Sequence, residues 1–192
     1  MKIKKVMIFV LSVFICLGTL KAVDITKGYV RCSFGVNITT SVKHALFIDS
    51  NLIKASEPIL PAPKFESSLM LGIKDGIFVG AGIDYKMFPV NDGKYINALG
   101  ILSQFGLEFK SNNFNIPLEF GIGPVLYSSN RANSVGLELA MRTGIQRNVG
   151  NNILLGINLS SSHLMEFGTY LGNAFITYHM VVEPQMVIGV RW

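Results

Sequence analysis

The sequence predicts an all-β fold, a closed antiparallel transmembrane β-barrel. The chain has 192 residues, of which 15% are charged and 49% are hydrophobic, so it has the length of one domain and is too apolar for a disordered protein. Its mean hydropathy is +0.42, yet no apolar run after residue 23 reaches the roughly 18 residues of a spanning helix. Apolar and polar residues alternate instead, which is the period of β-strands.

The first 22 residues have the pattern of a secretory signal peptide. Residues 1–5 are basic, residues 6–20 are mostly apolar, and Leu20-Lys21-Ala22 offers a cleavage site after Ala22. The apolar run is shorter than the roughly 20 residues of a membrane anchor. We therefore expect residues 1–22 to be removed and residues 23–192 to form a single barrel domain.

The charge balance gives no sign of a nucleic-acid partner. The formal charge is +5, but four of the 17 basic residues lie in the predicted signal peptide, which leaves 13 against 12 acidic residues. A nucleic-acid-binding protein carries a concentrated basic surface. The mature chain is instead nearly neutral.

Nine segments show the alternation, in chain order. In residues 28–39, the apolar set from Val30 to Ile38 occupies every second position. The other apolar sets lie in residues 65–73, 77–85, 99–109, 116–122, 135–145, 155–159, 174–180 and 186–192. Turn signals such as Asp75-Gly76 and Glu183-Pro184 separate them, which predicts antiparallel hairpins.

A closed bacterial barrel has an even number of strands, so nine candidates require a decision. Eight strands result if residues 39–63, with Pro58, Pro61 and Pro63, form one loop and two of the segments near the C-terminus form one irregular strand. Ten strands result if residues 42–48 add a weak strand. We prefer eight strands and keep ten as the alternative.

The second face of the alternating segments is polar and small. It carries 12 of the 19 glycines, and these leave room for long side chains in a narrow lumen. The charged residues of this face are Arg31, Glu66, Asp84, Lys86, Glu108, Glu119, Glu138, Arg142 and Arg191. An unpaired buried charge costs several kcal/mol, so we expect these groups to pair and to plug the barrel. A narrow porin-like channel is the alternative.

The end of the chain alternates strictly from Gln185 and stops at an aromatic residue. Here the sequence resembles bacterial outer-membrane β-barrel proteins, in size those of the OmpA/OmpX type. The resemblance implies that Met186, Ile188, Val190 and Trp192 form the signal read by the barrel-assembly machinery. It also implies a monomer in outer-membrane lipid that supports the envelope or binds a ligand or host surface through extracellular loops.

A catalytic alternative comes from the lipid A deacylases, small barrels that the chain resembles in length. That family carries a His/Ser/acid triad, for which Ser162, His163 and Glu166 are the candidates here. The family motif is His-x-Ser, whereas this chain has Ser-Ser-His-Leu-Met-Glu, so we favour a serine-rich loop without catalytic activity. No metal or cofactor motif is present in the sequence, and we expect no cofactor.

Overall fold

The fold was analysed in a computed structural model. It describes residues 27–48, 51–55, 61–90, 94–111, 113–128, 133–150, 152–170 and 173–192. The predicted signal peptide over residues 1–22 lies outside the described residues and stays a prediction. Within the described ranges, no helix is long and apolar enough to cross a bilayer.

The described residues form nine β-strands. These are β1 Gly28–Ile48, β2 Asn51–Ala55, β3 Ala62–Lys74, β4 Ile77–Val90, β5 Lys94–Ser111, β6 Phe114–Ser128, β7 Asn133–Val149, β8 Ile153–Tyr170 and β9 Asn173–Arg191. Each barrel strand pairs antiparallel with its neighbour along the chain, and β9 pairs with β1. Since β2 pairs only with β1 among these strands, the closed barrel has eight strands. The predicted fold class and strand number are therefore confirmed, and the ten-strand alternative is wrong.

The prediction for residues 39–63 was wrong, because these residues are neither one loop nor a tenth barrel strand. β1 continues to Ile48 and pairs with β9 as far as Leu46. Its last residues also pair with β2. The pairing of β3 with β1 extends only to Ala62 opposite Asn37. Among the described residues, β2 pairs with β1 beyond this point, from His44 to Ile48.

The prediction of a turn at Glu183-Pro184 was also wrong, since both residues lie inside β9. Pro184 faces outward and pairs with Leu159 of β8. On its other side, the pairing with β1 is interrupted between Gly35 opposite Gln185 and Ile38 opposite Val182. A proline has no N–H to donate, which explains the interruption without ending the strand. The last two predicted segments are thus one irregular strand.

The register of the barrel closes with a large shift. Starting at Tyr29 and stepping to the paired residue on each next strand leads back to β1 at Thr39, ten residues further on. Such a shift requires strands that are tilted to the barrel axis. An eight-stranded barrel has an interior just wide enough for side chains to fill it.

The two faces of the wall differ in chemistry. Large apolar side chains cover the outside, and several are mostly exposed, such as Met186 at 72% and Ile157 at 64%. Polar and charged side chains are buried on the inside. An apolar exterior around a polar interior is the arrangement of transmembrane barrels.

The two ends of the barrel are named here by their connections. Links at residues 75–76, 112–113 and 150–152 lie at the turn end, together with Gly28 and Trp192. The opposite end, named the loop end, carries the last residues of β1, the short strand β2 and the last residues of β4, β6 and β8. The predicted Asp75-Gly76 turn is present, and Gly76 has a φ of 74°, a left-handed conformation that favours glycine.

Candidate functional site

The nine charged residues expected on the polar face all point into the barrel. Eight of them are buried, and the Arg191 side chain is 16% exposed. Three more charged side chains are buried beside them: Lys64, Glu166 and Glu183. The sequence prediction did not assign Lys64, which lies between the loop predicted for residues 39–63 and the next strand. It placed Glu183 in a turn and Glu166 in a catalytic triad. The alternating pattern could have identified two of these residues. Lys64 is separated from Glu66, and Glu183 from Arg191, by an even number of positions, which predicts the same inward face.

The first half of the interior network centres on Glu119. Both terminal nitrogens of Arg31 donate to this carboxylate, and Arg142 Nη1 donates to it at 2.7 Å. Arg142 Nη2 lies 2.5 Å from Glu66 Oε1, and the Tyr29 hydroxyl donates to Glu119 at 2.8 Å. Two guanidinium groups therefore share two carboxylates, which satisfies charges that would be costly to bury alone.

The second half is built on two lysines from β3 and β4. Lys86 Nζ lies 2.6 Å from both Asp84 and Glu138 and 3.5 Å from Glu183. Lys64 Nζ contacts Glu183 and lies 3.0 Å from Asp84. Lys64 also lies 3.4 Å from Glu66, so the two halves form one network.

Glycines leave the space that this network occupies. A Cβ placed on Gly100 would lie 3.1 Å from Glu138 Oε2, and one on Gly106 would lie 3.2 Å from the Glu119 Cγ. Both distances are closer than ordinary van der Waals contact. The charged side chains thus lie over nearby strands at positions that have no side chain.

An apolar layer lies on each side of the network. Along β4 the inward residues are Phe78 near the turn end, then Asp84 and Lys86, then Phe88 near the loop end. Phe78 packs with Tyr29, Met70 and Leu154. Phe88 packs with Ala98, Val125, Tyr127, Leu164 and Val181. The ionic layer is therefore enclosed from both ends by buried apolar side chains.

A further ion pair lies at the turn end. Both terminal nitrogens of Arg191 donate to Glu108, and the guanidinium lies 5.3 Å from the centre of the Tyr29 ring. At the loop end, His179 lies between the rings of Phe88 and Tyr127. Its Nε2 is 3.9 Å from Glu166 Oε2.

The three candidate catalytic residues are not brought together. They lie in β8 and not in a loop, so their side chains alternate. Ser162 is buried inside and donates to Glu183 at 3.3 Å, whereas the outward His163 Nδ1 is 2.5 Å from the Tyr178 hydroxyl. Glu166 accepts a hydrogen bond from Ser134 inside the barrel. A serine nucleophile needs its histidine within hydrogen-bond distance, and this arrangement does not provide it.

Among the described residues, no group of three histidine, cysteine or acidic side chains could hold a metal ion.

The residues expected to form the assembly signal lie on the outer wall. Met186, Ile188 and Val190 point outward from β9, and Trp192 follows its end. The backbones of Trp192 and Gly28 exchange two hydrogen bonds, at 3.0 and 3.1 Å.

A closed eight-stranded antiparallel barrel with an apolar outside and a charged inside is the architecture of small bacterial outer-membrane proteins. Comparison with solved structures supports this class. The fold is similar to that of Neisserial surface protein A, at a TM-score of 0.53 and 14% identity over 85% of this chain and 95% of that one. It is also similar to the outer membrane protein OprG from Pseudomonas aeruginosa, at a TM-score of 0.57 and 12% identity over 86% and 95% of the two chains.

A third similar structure is the outer membrane protein AlkL, at a TM-score of 0.50 and 11% identity over 86% of this chain and 90% of that one. No protein-family model matches the sequence, and no curated protein matches it. Identities this low show a shared fold alone. The architecture expected from the resemblance to OmpA/OmpX-type barrels is thereby confirmed.

Proposed function

We propose that the protein is a plugged β-barrel of the bacterial outer membrane, exported with loss of residues 1–22. It contributes to envelope structure or binds a ligand or host surface at its loop end. The observation that supports the plug is the enclosed ionic layer, with buried apolar layers above and below. Nine charged side chains are connected in this layer: Arg31, Lys64, Glu66, Asp84, Lys86, Glu119, Glu138, Arg142 and Glu183. This packing supports a lumen without a continuous polar path for water between the two ends.

The connections indicate how the barrel is oriented. Bacterial barrels have short periplasmic turns and longer extracellular loops, so the turn end faces the periplasm. Three links at the loop end are short, at residues 91–93, 129–132 and 171–172. The extension of β1 with β2 is therefore the main element available for an extracellular contact.

Planar-bilayer recording tests the plug. We expect the unmodified protein to show no stable conductance, or only small and infrequent openings. Large, steady, ion-selective channels would refute the plug and support the porin-like alternative.

The double variant Arg31→Ala/Glu119→Ala supplies the matched comparison. It removes one cation and one anion that pair with each other, so the interior charge balance is unchanged. Because both side chains cross the lumen, we expect openings to become more frequent in this variant. Before recording, both proteins must be shown to be folded by a difference in gel migration between unboiled and boiled samples in detergent.

A further inference from the structure

A cavity of about 420 Å³ opens at the turn end of the barrel. Its wall is formed by the ends of β1, β3, β5 and β9 and by the Asp75-Gly76 turn. Six charged residues line it: Lys27, Lys74, Asp75, Glu108, Lys110 and Arg191. The cavity is thus separate from the enclosed ionic layer and open to solvent.

The two acidic residues of this cavity already have partners. Lys27 Nζ lies 2.6 Å from Asp75, and this hydrogen bond and charge hold the pKa of the Asp75 carboxyl below its ordinary value. Glu108 accepts hydrogen bonds from both terminal nitrogens of Arg191. Among the described residues, no ion pair involves Lys74 or Lys110. The charged side chains that line the cavity, four basic and two acidic, therefore carry a net charge of +2.

The remaining wall is apolar and lies at the boundary of the membrane-facing surface. Ile73 and Trp192 are the last large apolar side chains on the outside of their strands at this end, and both line the cavity with Phe78. Aromatic residues at the ends of barrel strands mark the water interface. A ligand in this cavity meets both lysines and apolar side chains.

We propose that this cavity binds a phosphate group at Lys74 and Lys110, and that in the membrane this phosphate belongs to the headgroup of an anionic phospholipid. Lysine ammonium groups bind phosphate as point charges. The apolar wall fits the first carbons of the lipid chains, which a free phosphate ester lacks. The proposal does not depend on whether the barrel conducts.

The test measures lipid binding by the full protein in zwitterionic detergent at low salt. The probes are fluorescent short-chain phosphatidylglycerol, phosphatidylcholine with the same chains, and glycerol 3-phosphate as the soluble competitor. We expect preference for phosphatidylglycerol, and binding weakened about fivefold for each lysine removed, so about 25-fold in Lys74→Gln/Lys110→Gln. Both lysines are exposed, so the variant should fold.

Two control variants separate the site from charge in general. Lys43→Gln removes an exposed lysine from the loop-end part of β1 and should bind like the unmodified protein. Lys74→Arg/Lys110→Arg keeps both charges and should retain most of the binding. Loss of binding in the double glutamine variant alone supports the proposal.

Two results would overturn it. If phosphatidylglycerol and phosphatidylcholine bind equally, the cavity does not distinguish an anionic headgroup from a zwitterionic one, which excludes the proposed anionic lipid. Equal binding by the double glutamine variant and the unmodified protein excludes Lys74 and Lys110. If glycerol 3-phosphate competes as well as the lipid and needs both lysines, the phosphate site is supported and its assignment to a lipid is refuted.

Discussion

Arg142 bonds two buried carboxylates at once, those of Glu66 and Glu119. Replacing it with alanine leaves both acids short of a partner in the barrel interior. Removing one member of a buried ion pair costs about 3–5 kcal/mol. We expect Arg142→Ala to lower the free energy of unfolding by this amount, measured by urea titration of the protein in lipid vesicles.

Arg147→Ala is the matched control for Arg142→Ala, since Arg147 lies on the same strand but is exposed. Its guanidinium lies 6.0 Å from the centre of the Phe114 ring, a contact worth about 0.5–1 kcal/mol at an exposed site. Similar losses in the two variants would contradict a buried network around Arg142.

His163 lies on the outer wall, apart from Ser162 and Glu166. We expect His163→Ala to leave the lipid A of the producing cells unchanged, compared by mass spectrometry with cells carrying the unmodified gene and with cells lacking it. An esterase using this histidine would lose its product in the variant. Such a loss would revive the hydrolase interpretation.

The inward charges could be predicted individually from alternation, but their pairing could not. Arg142 contacts Glu119 on the neighbouring strand and Glu66 on a distant one. Glu66 comes from β3, four positions away in strand order from β7, so this contact crosses the lumen. A sequence pattern reports which face a residue occupies and carries no information on contacts across the barrel.

β9 shows how far alternation alone could define an element. Its two predicted segments have outward residues at even positions throughout, from Ala174 to Trp192. This shared parity predicts one strand, but the Glu183-Pro184 pair resembles a turn. The structure keeps the strand because Glu183 points inward to Lys64 while Pro184 faces outward. A contact with a distant strand therefore outweighed the local turn signal.

The end of β9 makes the closing contact of the barrel, through the hydrogen bonds between Trp192 and Gly28. We expect deletion of Trp192 to leave the chain exported but poorly assembled, because both backbone bonds and the terminal aromatic ring are lost. Membrane fractionation with immunoblotting measures the amount in the outer membrane. Normal levels of the truncated chain would be evidence against this role.

Trp192→Phe and Trp192→Ala separate the backbone contribution from that of the ring. Both variants keep the two backbone hydrogen bonds. We expect the phenylalanine variant to assemble normally and the alanine variant to accumulate less. If both variants assemble like the unmodified protein, the Trp192 side chain has no part in recognition by the barrel-assembly machinery.

The complete barrel satisfies its backbone hydrogen bonds between strands, including those between β9 and β1. Such a barrel resists detergent unfolding, since no strand edge of the closed ladder is exposed at the membrane level. We expect unboiled protein in detergent to migrate differently from boiled protein on a gel. Absence of a shift, together with release into the aqueous phase by carbonate washing, would contradict a transmembrane barrel.

The pairing of β1 with β9 also sets an order in time. The closing ladder joins the first described residues to the last ones, and contacts between distant residues form slowly because a long loop must close first. Until Trp192 has been synthesised, β1 has no partner for this ladder and the apolar outer wall has no lipid to cover it. Exposed apolar surface and open strand edges promote aggregation. We therefore expect the chain to stay unfolded, and in need of protection from aggregation, until its last strand can close the barrel in a bilayer.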